Sequence, residues 1–409
     1  MRILIAGINY FPEVTGIGPY NTELAEHMAS AGHQVTMLTA FPYYPHWRID
    51  PAYRRRRPIL VEHINGVRVI RSPIMLPQAR QSAFRRILFD SSIAASSLLA
   101  SIGVGRLHTV VCVSPPLQLG VTCWLVARLR AARFVMHLQD IVPDAALAAG
   151  MMRAGRAVRA AQRLERFVYA RADRITVISE GFRENLLAKG VPGARLAVLP
   201  NWVDAGRFNA TADEGVRASL GASNWQTLAL HTGNMGNKQG LETVVDAAAR
   251  LAGEEIAITL VGDGQSRRGL EQRAAHLALH NLSFRPLQEN LPATLAAADV
   301  LVLSQREKVT DSAAPSKLLV YMAAGKPIVA AVNTTSEAAR LITQTGCGVV
   351  VRPESPVELA QAILDLHRHP DSHAAMGVAG RRFVAEHFDR FAILRRWQEQ
   401  LEAREGAAV

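Results

Sequence analysis

Cysteine is scarce in this chain: Cys112, Cys123 and Cys347 are the only three in 409 residues. Each lies in an apolar or glycine-rich stretch without Cys-x-x-Cys or Cys/His ligand spacing, which excludes a disulfide framework and a structural zinc site and predicts three buried thiols. Long apolar runs are missing too. The longest uncharged stretch, residues 107–127, could span a bilayer by length, but Ser114, Pro115 and Pro116 cut it into a β-branched run and a helical run, so no transmembrane helix is expected. The N-terminus has no apolar core ahead of Pro12 and no small-residue cleavage site, so no secretory signal is expected and the chain is assigned to the cytoplasm. Acidic residues are in deficit, 35 Asp and Glu against 46 Lys and Arg. The imbalance is local: residues 1–200 carry 25 basic and 12 acidic side chains, residues 201–409 carry 21 and 23. A surplus confined to one half calls for an anionic partner of that half. Aromatics, at 6%, are not interleaved with the arginines and no binding module is present, so nucleic acid is not expected to be that partner.

What is present is a rhythm. Apolar runs of four to six residues alternate with longer amphipathic stretches, the pattern of repeated βα units around parallel sheets. The first half predicts strands near residues 3–6, 35–39, 110–113, 134–138, 175–178 and 196–199, and a hairpin over 59–63 and 67–71 around Asn65 and Gly66. A polar stretch follows, and the rhythm restarts at Leu228 with strands near 228–231, 256–261, 282–285, 300–303, 327–330 and 348–351. The fold class is therefore α/β, two doubly wound domains. Boundaries fall at 1–200 and 201–371, and helices over 372–409, which have no strand of their own, are expected to pack back towards the N-terminal domain.

Glycine gathers where these sheets would bind ligands, in the turns after strands. The first turn carries Gly16, Ile17 and Gly18 ahead of Pro19, at a helix start suited to an anion. Its spacing is not Gly-x-Gly-x-x-Gly and no acidic residue ends the second strand, which removes the main supports of a nicotinamide site. In the second half, Gly233, Gly236, Lys238 and Gly240 follow a strand, a set that lets a diphosphate approach the backbone beside a cation. Gly262 and Gly264 end the next strand. Further on, Ser316 reads as a helix cap and Lys317 as a cation in the first helical turn, where the helix dipole disfavours it unless an anion is bound.

Taken in order, Gly16 to Gly18, the Leu199 to Asp204 segment, Thr232 to Gly240, Val261 to Gly264 and Pro315 to Pro327 resemble the family 4 glycosyltransferases of GT-B fold, and within them the colanic-acid and related exopolysaccharide enzymes. The resemblance covers nearly the whole chain. It implies two Rossmann-like domains with a cleft between them, and transfer of a sugar from a nucleotide diphosphate sugar with retention at the anomeric carbon. Gly233, Gly236 and Lys238 would face the donor diphosphate, Gly262 and Gly264 would line the nucleotide pocket, and Ser316 and Lys317 would add a cap and a second cation. Two cations on a diphosphate leaving group supply by charge what a metal supplies elsewhere, and the sequence has no Asp-x-Asp, so no metal or other cofactor is expected. Where many members carry two Glu residues eight apart, this chain has Ser312 and Val320. A ribose-binding carboxylate is thus missing from its usual place, and Asp311 or Glu307 is expected to substitute.

In the first half, His137, Asp140 and Asp144 follow a predicted strand at its carboxyl edge and are the candidates for touching the sugar or taking the acceptor's proton. The arginines at 54–57, with Arg80, Arg85 and Arg86 ahead of the apolar-rich 87–102 segment, suggest a face for an anionic inner-membrane surface, where a lipid-linked acceptor of polyprenyl-diphosphate type would lie. The aromatic run at 41–47 suggests an acceptor entrance. A nucleotide-sugar epimerase of the same shape, or a non-catalytic nucleotide-binding or membrane-scaffold protein, are the alternatives.

Overall fold

Runs that are apolar at every position, rather than at alternate ones, belong to strands covered on both faces. In the computed structural model, which describes residues 1–14, 16–44, 47–54, 58–76, 83–141, 144, 155–309 and 316–403, such runs form the centres of two sheets. The chain divides into two units, Met1–Asn201 with Ala392–Val409, and Trp202–Phe391.

The first unit contains β1 (Arg2–Ala6), α1 (Gly18–Ser30), β2 (Gln34–Ala40), β3 (Leu60–Ile64), β4 (Val67–Ser72), α2 (Ala83–Ala100), β5 (Thr109–Ser114), α3 (Leu119–Leu129), β6 (Arg133–Leu138), α4 (Arg156–Arg171), β7 (Arg174–Val177), α5 (Glu180–Ala188) and β8 (Leu196–Val198). Its eight strands run β3-β4-β2-β1-β5-β6-β7-β8. All neighbours are parallel except the Asn65-Gly66 hairpin, in which β3 pairs antiparallel with β4 at the edge. The stretch weighed as a membrane span is divided as its prolines require, into β5 and α3, and no helix among the described residues is long and apolar enough to cross a membrane.

The second unit contains α6 (Glu214–Ser219), β9 (Thr227–Thr232), α7 (Glu242–Arg250), β10 (Ile256–Val261), α8 (Arg267–His276), β11 (Leu282–Arg285), α9 (Leu291–Ala296), β12 (Val300–Ser304), α10 (Ser316–Ala324), β13 (Ile328–Ala331), α11 (Glu337–Thr345), β14 (Gly348–Val351), α12 (Pro356–Arg368) and α13 (Pro370–His387). Its strands run β11-β10-β9-β12-β13-β14, all parallel. Alternation along each strand splits the core into two layers: Leu228, Leu230, Leu301 and Leu303 face one set of helices, Ala229, Val300 and Val302 the other. In both units the strand order reverses beside the first strand, β1 next to β5 and β9 next to β12, and ligands of doubly wound sheets bind outside such a reversal.

The last helix, α14 (Arg390–Glu402), completes the first unit. Trp397 is fully buried with its ring edge-on to His137, the centroids 4.7 Å apart. Arg396 donates to the carbonyl of Val198 at 2.9 Å, and Arg133 donates to those of Gln400 and Ala403 at 3.2 and 3.0 Å, a cation on the negative end of the helix. All three cysteines are buried free thiols.

Candidate active site

The reversal of the second sheet is built from three loops. The turn after β9 runs through Gly233 to Gly240, with Asn237–Gln239 as a single 3-10 turn that exposes Lys238. It is fastened to the turn after β10: Gly233 N donates to Val261 O at 2.8 Å, Met235 N to Asp263 O at 2.8 Å, and Ser266 N to Met235 O at 2.9 Å. This lacing explains the glycines. At Gly262 (φ 139°) an added Cβ would lie 1.9 Å from the Gly233 carbonyl oxygen, and at Gly264 2.5 Å from that of Met235. These two residues are glycine because two backbones touch there, whatever else binds. Gly236 is hemmed by Asn234 and Gln239 side chains at 2.9 and 3.1 Å.

Lys317 enters from the first turn of α10. An added Cβ at Gly233 would sit 3.3 Å from both Cε and Nζ of Lys317, so the glycine makes room for the lysine. The Nζ lies 3.1 Å from Nε2 of His231, the fully buried penultimate residue of β9, whose Nδ1 lies 3.1 Å from the Val302 carbonyl on β12. A carbonyl only accepts, so Nδ1 carries the proton and Nε2 accepts from the ammonium. Burial and the neighbouring lysine hold the His231 ring well below its usual range and neutral, and burial alone brings Lys317 down to about 7. Tyr321, one turn along α10, accepts from Thr232 N at 2.8 Å and pins the start of the turn.

Arg306, in the loop after β12, is the clamp. Its guanidinium donates to the Asn237 carbonyl at 2.7 Å and pairs with Glu242 and Glu354, both at 3.0 Å, while its backbone N donates to Lys238 O at 2.9 Å. The backbone carrying Lys238 is therefore held from two sides while its side chain stays exposed. Ser316 is exposed at the start of α10; Asp311, and Ser312 with it, lie outside the described residues. Val320 packs half-buried against the core, and Glu307 is exposed.

In the first unit, Gly16 (φ 67°) and Ile17 lead into α1, and a Cβ at Gly18 would meet the Glu13 carbonyl oxygen at 2.5 Å. Glu13 itself, absent from the sequence-derived candidates, organises this turn: its buried carboxylate accepts from Tyr43 N (2.8 Å), Tyr44 N (2.7 Å), Tyr10 N (3.3 Å) and the Asn9 amide (2.9 Å). In its described part the aromatic run packs on itself, with Phe41 and Tyr43 buried, Tyr44 and Trp47 half-buried, and Tyr43, Tyr44 and Trp47 edge-on to one another, Tyr43 also against Phe89.

The three candidates after β6 part company. His137 is buried, with Nδ1 2.9 Å from Thr176 Oγ1 and Nε2 2.9 Å from the Gln139 amide, which also exchanges two hydrogen bonds with Asn201. Burial holds its ring down to about 3, so it is neutral and committed to packing. Against the expectation of a direct contact with sugar, this geometry makes it a structural residue. Asp144 pairs with Lys189 at 2.9 Å and accepts from Asn185 at 2.9 Å, and Lys189 also pairs with buried Glu165. Asp140 is half-buried at the carboxyl edge of β6.

Comparison with known proteins agrees with this architecture. Residues 15–202 match the model of a glycosyl transferase 4-like domain, and residues 226–369 that of glycosyl transferases group 1. The chain is 35% identical over 374 residues to WcaI of Escherichia coli, which carries the name colanic acid biosynthesis glycosyl transferase, covering 89% of this chain and 91% of that one. The glycosyltransferase WbjE of Pseudomonas aeruginosa is 29% identical over 238 residues, covering 56% of this chain and 59% of the relative. Among solved structures, the sucrose-phosphate synthase of Thermosynechococcus elongatus superposes with a TM-score of 0.75 at 20% identity over 98% of both chains. Anabaena HepE in complex with UDP and glucose gives 0.74 at 16% identity over 99% of this chain and 100% of that one. Two doubly wound sheets, glycine turns at the strand ends and matches to both domain models lead to one conclusion: the chain belongs to the family 4 glycosyltransferases and has their GT-B fold.

Proposed function

We propose that this glycosyltransferase takes a sugar from a nucleotide diphosphate sugar, held by the second unit, and transfers it with retention of configuration to a lipid-linked saccharide of polyprenyl-diphosphate type in exopolysaccharide assembly of the colanic-acid kind. The observation that carries the donor half is the meeting of Lys317, His231 and Gly233 at the sheet reversal, with Lys238 on a clamped turn beside them. Exposed backbone and two ammonium groups suit a diphosphate, whose charge grows as the glycosidic bond breaks; donors fixed in advance stabilise that charge without reorganising. Lys238 and Lys317 do this work in the proposed reaction without a metal ion. HepE, whose solved complex holds UDP and glucose, and the relatedness to WcaI support the donor class and the process. Asp140 is the remaining first-unit candidate for receiving the acceptor's proton.

The acceptor reading rests on the basic half. Along α2, Arg85, Arg86, Ile87 and Leu88 are exposed together, the two apolar residues at 44% and 40%, a combination suited to an anionic inner-membrane surface on the cytoplasmic side. The arginines at 55–57 and Arg80 lie outside the described residues. The test is incubation with radiolabelled UDP- and GDP-sugars and a lipid extract carrying polyprenyl-diphosphate saccharides. Label should enter the organic phase, with unchanged anomeric configuration by NMR and no loss on adding chelator. Free epimer would instead support an epimerase, and no turnover with intact nucleotide binding a non-catalytic role.

A further inference from the structure

Lys317 stands on a nine-residue helix in a position that costs it twice, once through burial and once through the positive end of the helix dipole. Its ammonium is nonetheless aimed at one place. Of the described groups around it, the imidazole of His231 is the hydrogen-bond partner, reached from a strand 86 residues earlier in sequence. Tyr321, on the same helix, is turned to Thr232 and burial pushes its hydroxyl up to about 12, so it carries no charge. No carboxylate among the described residues lowers the cost of the buried ammonium. His231 in turn is fully buried and anchored through Nδ1 to the Val302 carbonyl, so its Nε2 cannot swing away.

The geometry points to His231 as the positioning residue of the donor site: a buried, neutral, tautomer-fixed imidazole that takes one N–H of the Lys317 ammonium and leaves the other two for the phosphate oxygens beside Gly233. The arrangement rests on the reading above that a nucleotide diphosphate docks on the Gly233 to Lys238 turn. A carboxylate in place of His231 would neutralise the lysine and compete with the phosphate. An apolar residue would let the ammonium drift. A neutral acceptor directs the charge without cancelling it. Because Lys317 sits at about 7 in the free protein and a bound diphosphate favours its charged form, binding takes up a proton, and affinity falls as pH rises above 7.

The test uses the full chain with UDP and GDP as probes, titrated by calorimetry from pH 6 to 9. His231→Leu should weaken the better nucleotide tenfold to about a hundredfold, the scale of one charge-assisted hydrogen bond. It should also move the alkaline fall in affinity to lower pH, because the ammonium has lost its acceptor. His231→Gln, whose amide oxygen reaches about as far as Nε2, should recover most of the affinity. Lys317→Met with His231→Leu should bind no more weakly than Lys317→Met alone. Should the leucine variant fail to fold, nitrogen-15 NMR of the wild-type imidazole decides: the proton must sit on Nδ1, and the Nε2 resonance must move as Lys317 titrates. An Nε2-H tautomer, or His231→Leu with wild-type affinity and pH profile while Lys317→Met is impaired, overturns the positioning role and leaves the donor site standing. Lys317→Met binding like wild type would remove the donor site itself.

Discussion

Replacing Gly262 by alanine puts one methyl group where two loops of the second unit touch. The new carbon would lie 1.9 Å from the Gly233 carbonyl oxygen, 2.8 Å from its carbon and 3.2 Å from its nitrogen, all backbone, so no side chain can rotate out of the way. To reach an ordinary contact the Gly233 peptide must retreat by roughly 1.5 Å. Two hydrogen bonds of 2.8 Å, from Gly233 to Val261 and from Met235 to Asp263, hold it where it is. A φ of 139° adds a conformation that only glycine adopts readily, at about 1–3 kcal/mol, and overpacking of this kind adds about the same again. The expected loss is about 3–5 kcal/mol in urea unfolding of the second unit. Nucleotide affinity should fall with it, since Gly233 also shapes the seat of Lys317. The matched control is Gly269→Ala in α8, where nothing lies within 4 Å and the backbone is helical. That change should stabilise by roughly 0.5–1 kcal/mol and leave nucleotide binding alone. Wild-type stability and binding in Gly262→Ala would refute the claim that backbone contact, rather than ligand approach, demands glycine there.

Four further outcomes are expected. Lys317→Met should lose nucleotide binding yet gain thermal stability at pH 6.5. The lysine titrates near 7 when folded and near 10.5 when unfolded, so the unfolded chain binds more protons across that window, wild-type stability rises with pH through it, and the variant should lack that slope. Asp90, buried in α2 and raised to about 6 by burial against the pull of Arg86, works oppositely: stability should fall as pH climbs from about 4 to 6, and Asp90→Asn should be more stable than wild type at pH 8 by on the order of 1–2 kcal/mol in denaturant melts. Glu13→Ala leaves several buried donors without their acceptor and should cost about 3 kcal/mol or more, with Glu13→Gln milder because one amide oxygen remains to accept. Anionic but not neutral vesicles should sediment the protein at low salt, less so after Arg85 and Arg86 are neutralised together; a protein that stays in the supernatant with anionic vesicles takes the membrane assignment away.

The strands were legible because parallel sheets covered on both faces leave a simple trace: β9, β10 and β5 are apolar or β-branched almost throughout and buried at every residue. The glycine turns were legible for a related reason, since strand ends in such sheets demand unusual backbone, and Gly233 and Gly262 take positive φ there. What the sequence concealed are partnerships made by strand order. His231 reads as one polar residue in an apolar run; its meaning appears only when β12 lies beside β9 and brings Val302 and α10 next to it. Arg306 reads as a solvated charge after a strand, yet it clamps a turn 69 residues away. Glu13 is silent in the sequence, because two of its donors come from around residue 43. His137 misled in the opposite sense: a histidine at a strand end suggests chemistry, and here the cover supplied by Trp397, 260 residues on, turns it into core.

That cover has a consequence for how the protein is made. A ribosome delivers the chain from its first residue, and domains tend to fold as they emerge. The eight-stranded sheet of the first unit is synthesised by Val198, but Trp397, Arg396 and the carbonyls that Arg133 binds arrive only after the whole second unit has been translated. Until then the edge of His137 and the side of β6 that α14 will close are open to water or to a chaperone. The first unit is thus begun first and finished last. A premature stop between codons 392 and 397, which removes Trp397, would damage the N-terminal half of the protein while leaving the second unit able to fold.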